Sequence, residues 1–156
     1  MMNQEKFNFI KSGMFEVLPK LNSDTPAKWG KMNAQQMLEH VTAFFYVSTE
    51  KIQFPLVTPE EHLPKYREFL YSDKEFRENT KAPLTVLGED PLPLAQPTFS
   101  IAIEKLQKAV HYFFTYFENS PGKTTIHPVF GALTFDEWVL LHYKHVTHHF
   151  KQFGLM

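Results

Sequence analysis

Four of the eight histidines lie within eight residues near the end of the chain, in the stretch HYKHVTHHFKQ from His142 to Gln152. His145 and His149 are four apart. On a helix that spacing puts both rings on one face, with Cβ atoms about 5–6 Å apart. Two imidazoles so placed can converge on one ion at bond lengths of roughly 2.0–2.1 Å. A third histidine, His40, sits in another helix-like segment, QQMLEHV. Three neutral imidazoles with no further protein ligand leave a coordination position open to water or substrate. That is the pattern of a catalytic rather than a structural metal site.

The same residues have plainer readings. His145 and His149 could simply pack, or be solvated, on a helix surface. Their face also carries Trp138 and Leu141, which points to burial. Buried neutral imidazoles need polar partners, and several together are hard to satisfy without an ion or a water. His40 shares its face with Met37, Val41 and Phe44, so on its own it reads as a core histidine bonded to a backbone carbonyl. His148 falls at the edge of the face, in a supporting or surface position. His142 is one turn before His145 and either reaches the cavity mouth or packs. His127, in the loop TTIHPVFG, either closes over the site or is solvated. His62 and His111 suggest no role.

Four segments read as the helices that must position these rings. The first covers about residues 4–20, with Phe7, Ile10, Met14, Val17 and Leu18 on one stripe. The second runs from Asn33 to about Thr49, opened by an Asn33/Gln36 pair related to the capping box. The third starts near Thr98 or Ser100 and stops at Ser120-Pro121-Gly122. The fourth starts at Thr134, where Thr134 and Glu137 form a capping box, and Gly154 stops it. Between the second and third lie about 48 residues, 50–97, too long for a structureless loop in a compact domain. Residues 59–71 read as a short helical piece, and the proline-rich 81–97 as an extended crossover. The expected fold is therefore all-α: a single-domain four-helix bundle over residues 1–156, with a long crossover between helices 2 and 3.

Bulk composition narrows the function. With 156 residues, 43% hydrophobic and 16 Phe, the chain has enough apolar material for a core of its own. A net charge of −1 argues against a nucleic-acid partner. Cysteine is absent, which removes disulfides, thiolate metal sites and cysteine catalysis. No apolar run reaches the ~18 residues of a membrane span, and the start of the chain has no signal-peptide pattern, so the expected location is the cytoplasm. Other catalytic templates fail: there is no HExxH, no Glu-x-x-His, no GxGxxG, P-loop or GxSxG. The acidic stretch Gly88-Glu89-Asp90 could supply a general base, though a solvated loop explains it as well.

Two stretches resemble a known family. WGKMNAQQMLEHV, residues 29–41, and HPVFGALTFDEWVLLHYKHVTHHFKQFG, residues 127–154, are similar to the DinB-like (YfiT/DinB) superfamily of metal-dependent four-helix bundles, in an uncharacterised branch. The middle of the chain, residues 52–97, does not help identify the family. The resemblance implies metal ligation by His40, His145 and His149, with zinc or nickel first and iron or manganese second. It also implies a small-molecule substrate. Relatives include S-transferases that use a low-molecular-weight thiol and a thiol-dependent isomerase; hydrolysis has been inferred for others.

The expectation is a metal-dependent enzyme in which the ion activates a water or a low-molecular-weight thiol. Thiol transfer ranks ahead of hydrolysis on the resemblance alone. Lacking cysteine, the chain must receive any thiol as a cosubstrate, and Lys31 is a candidate cationic group for its carboxylates. The rival reading from another class is a non-catalytic binding or stress protein held together by its metal. A homodimer through Phe113, Phe114, Tyr116 and Phe117 is one use for those aromatics; core packing is the other.

Overall fold

The computed structural model describes residues 2–80 and 90–156. Pro83, Gly88 and Glu89, part of the expected crossover and its acidic stretch, lie outside the described residues.

The first expected helix is present but not uniform. It consists of α1 (Gln4–Asn8), a π-helical turn (Phe9–Gly13), α2 (Met14–Val17) and a 3₁₀ turn (Leu18–Lys20). Ile10, Met14 and Leu18 point into the core. α3 (Ala34–Ser48) opens with a full capping box. The Asn33 side chain accepts from the Gln36 N–H at 2.8 Å, and the Gln36 side chain accepts from the Asn33 N–H at 2.9 Å. Each bond satisfies a backbone donor that a helix start otherwise orphans. α3 buries Met37, Leu38, Val41 and Phe45 completely and packs chiefly against α5 (Phe99–Glu118).

The crossover is pinned at both ends. Glu60–His62 form a 3₁₀ turn that leads into α4 (Leu63–Tyr71). Near its other end, Glu39 on α3 accepts from the Ala95 and Gln96 N–H groups, and Gln36 donates to the Leu92 carbonyl. Thr98 caps α5 by accepting from the Ile101 N–H.

The pure four-helix bundle expected above is not what forms. Among the described residues the fold is mixed α/β: α4 adds a helix, and a two-stranded antiparallel sheet stands between α5 and α6 (Phe135–Gln152). Strands β1 (Thr125–His127) and β2 (Gly131–Leu133) pair in the register Thr125↔Leu133, Ile126↔Ala132 and His127↔Gly131. Each strand has three residues. That is too short for alternation to register as a pattern, so the stretch reads as loop in the sequence. Gly131, at φ +82°, makes the tight return.

The hairpin is built into the core. Trp138, fully buried on α6, donates its indole N–H to the Thr125 hydroxyl at 2.7 Å, and that hydroxyl donates to the Ser48 carbonyl at 2.8 Å. One hydrogen-bonded chain thereby joins α6, β1 and the end of α3. At the start of α6 the Thr134/Glu137 capping box is complete, and the Glu137 carboxylate also takes Arg67 and Tyr71 from α4. At its end, the Leu155 N–H reaches the Phe150 carbonyl and the Gly154 N–H the Lys151 carbonyl, with Gly154 at φ +73°: a Schellman closure.

Phe113, Phe114 and Phe117 are core residues, 0%, 7% and 6% exposed, and Tyr116 bonds to Glu50. No helix among the described residues is long and apolar enough to cross a membrane.

Candidate metal centre

The site forms where α3 meets the last turns of α6. His40 projects from α3 because Met37, Val41 and Phe44 pull the same face inward. His145 and His149 project from successive turns of α6. The three rings meet edge to face, with centroids 4.7–4.8 Å apart. Their ligand nitrogens all lie within 4.8 Å of one another. His145 Nε2 is 2.9 Å from His40 Nε2 and 3.1 Å from His149 Nε2. At metal–nitrogen bonds of roughly 2.0–2.1 Å, two imidazoles on one ion stand about 2.9–3.4 Å apart for angles from 90° to tetrahedral. Both separations fall in that range.

The donor set argues for an ion more strongly than the distances. A neutral imidazole nitrogen either donates or accepts, once, in the ring plane. His145 Nε2 faces two other Nε2 atoms, so a single proton or a single lone pair would have to serve both neighbours. Protonation does not relieve this. Burial, and then the nearby His148, push His40 down to about 4. Burial followed by the neighbouring histidines holds His145 well below its ordinary value. His149 is likewise held well below by burial and His40, against a small upward pull from Gln152. Three imidazole nitrogens gathered within 4.8 Å of one another could hold a divalent cation.

His149 is buried, whereas His40 and His145 are partly exposed. Aromatic rings surround the cluster. Phe44 lies 5.2 Å from His40 and 5.3 Å from His145, ring to ring. His148 stands beside His149 at 5.0 Å, flanked by Trp29 and Phe76 at 5.6 and 5.8 Å. Lys31 is paired with Asp90 at 3.0 Å, and both side chains are largely exposed.

The other candidate histidines do different work. His142 is fully buried and stacks on Phe45 at 3.9 Å. The Ser48 hydroxyl donates to the Phe45 carbonyl, so it accepts from His142 Nε2–H at 3.1 Å. His127 folds back on its own turn: its Nδ1 accepts from the Val129 and Phe130 N–H groups at 3.0 and 3.2 Å. Phe44 lies between it and the cluster. Neither ring joins the three.

Gln152, which the sequence alone singles out for no role, supports the cluster. Its Oε1 lies 2.7 Å from His149 Nδ1, and its Nε2 donates to the Trp29 carbonyl at 2.9 Å. The available signal was the three-residue spacing from His149, which puts both side chains on one side of the helix.

Residues 86–156 match the model of a family described as a protein of unknown function, DUF1569. That segment includes His145 and His149 but not His40. None of the curated proteins and none of the solved structures matches the chain.

Proposed function

We propose that this protein is a metal-dependent enzyme whose divalent ion is held by His40, His145 and His149. The observation that carries the proposal is the gathering of one nitrogen from each of His40, His145 and His149 within 4.8 Å of one another, with His40 and His145 partly exposed. Imidazole ligands suit zinc, nickel and iron alike; the order zinc or nickel first, iron or manganese second, rests on the resemblance to the DinB-like superfamily. When bound, such an ion lowers the pKa of a coordinated water or thiol, so that a nucleophile exists near neutral pH.

The chain's own residues supply the rest. His40 and His145 are the partly exposed ligands, so a substrate would reach the ion from their side. Phe44 packs its ring against both of them. With no cysteine anywhere in the sequence, a thiol has to come from a small molecule. We place thiol transfer to an electrophile ahead of hydrolysis. That order rests on the resemblance of residues 29–41 and 127–154 to the DinB-like superfamily.

The test is turnover by metal-loaded and metal-stripped protein, with a panel of low-molecular-weight thiols and electrophiles, and with esters and amides. Thiol consumption that depends on metal and vanishes in His40→Ala and His145→Ala supports transfer. Metal-dependent ester or amide cleavage without thiol supports hydrolysis instead. No turnover from protein holding one ion per chain would favour a metal-stabilised binding protein.

A further inference from the structure

The two motifs singled out in the sequence lie far apart in the chain, yet they meet at Gln152. We infer that Gln152, seated by Trp29 and Gly30, is a positioning residue that fixes the tautomer in which His149 can bind a metal. This inference rests on the metal-binding reading above.

The hydrogen-bond roles follow from atom types. The Trp29 carbonyl can only accept, so the Gln152 amide must turn its NH₂ toward it, at 2.9 Å. The amide oxygen then faces the His149 ring. It too can only accept, so the proton of the neutral ring sits on Nδ1, at 2.7 Å. His149 Nε2 is left with its lone pair directed into the cluster. An imidazole free in water favours the opposite tautomer, with the proton on Nε2. That proton would point at His145 and block ligation. A hydrogen bond to the far nitrogen of a ligating histidine also raises its basicity, and removing such a partner typically costs about 10–100-fold in metal affinity.

Gln152 is 3% exposed and has little freedom to turn. The strand of chain that holds it is fixed as well: the Lys28 N–H donates to the Gln152 carbonyl at 2.7 Å. Gly30 meets two separate requirements. Its φ of +81° suits glycine, and a Cβ there would lie 2.7 Å from Gln152 Nε2. A side chain at position 30 would push the amide off the Trp29 carbonyl and so disturb His149.

The first readout needs no metal. Long-range ¹⁵N–¹H NMR of the metal-free protein reports which nitrogen of His149 is protonated. Wild type is expected to show Nδ1–H, and Gln152→Met, which keeps the length but loses the amide, to shift toward Nε2–H. The second readout is zinc affinity by calorimetry. Gln152→Met and Gly30→Ala should each weaken zinc binding, by about 10–100-fold for the former. The double variant should be no weaker than Gln152→Met, because Gly30 acts through Gln152. Gly30→Ala carries the test should Gln152→Met fail to fold. Wild-type His149 protonated on Nε2, or wild-type zinc affinity in Gln152→Met, would overturn the role of Gln152 and leave the metal site standing. No zinc uptake by wild type would overturn the metal-binding reading itself.

Discussion

Helix α6 carries two kinds of histidine, and they differ in what their nitrogens face. His142 finds a hydroxyl in Ser48, and His127 in the adjoining hairpin finds two backbone N–H groups. In each of those rings one nitrogen has a partner that the fold itself supplies. His145, one turn along from His142, faces only other imidazole nitrogens at 2.9 and 3.1 Å. Burial alone therefore does not mark a functional histidine. All of these rings have depressed pKa values, with His127 held by burial at about 3 and His40 at about 4. The distinction lies in what the bonded nitrogen faces: a hydroxyl or backbone N–H supplied by the fold, or other imidazole nitrogens.

The contrast has measurable consequences. The largest concerns metal-dependent stability. Zinc at about 100 times its dissociation constant should stabilise the fold by roughly 2.7 kcal/mol. For a chain of this size that raises the melting temperature by about 5–10 °C. His145→Ala should lose the whole shift, as scanning calorimetry with and without zinc would show. A full shift in His145→Ala would put the ion elsewhere.

His142→Ala should behave the other way round. It removes a fully buried ring stacked on Phe45 and should cost about 2–4 kcal/mol in urea unfolding. Its zinc-induced melting shift should stay intact. Next in size is Ser48→Ala, which leaves the His142 N–H without its acceptor and should cost about 1–3 kcal/mol, again with unchanged zinc response.

The smallest effect at neutral pH belongs to His127. Its folded pKa of about 3 lies below the unfolded value near 6.5. Between those values the unfolded chain binds a proton that the folded chain does not. Stability is therefore full above pH ~6.5 and is lost as pH falls toward ~3. His127→Phe should flatten that part of the profile, read by urea unfolding at pH 7 and pH 5. An equally steep profile in the variant would assign the loss to other groups.

The contrast also explains what the sequence could and could not show. Spacing and caps are local, and they carried through. Asn33/Gln36 and Thr134/Glu137 open α3 and α6, and the i, i+4 pair His145/His149 shares one helix face. The hairpin escaped because three-residue strands leave no period, and what holds β1 is tertiary: Thr125 reaching Ser48 and Trp138. The π turn at Phe9–Gly13 escaped because it lies inside an otherwise regular apolar stripe. His127 and His142 look in the sequence like further members of the cluster. Only three-dimensional packing gives them their own partners, and only packing brings Trp29 and Gly30 to Gln152.

The measurement that bears most directly on the histidine cluster is metal content, determined on protein purified without an affinity tag, for wild type beside His145→Ala. We predict about one zinc, nickel, iron or manganese ion per wild-type chain and its loss in the variant. Wild-type protein that holds no metal, and whose melting temperature does not move when metal is added, would contradict the site.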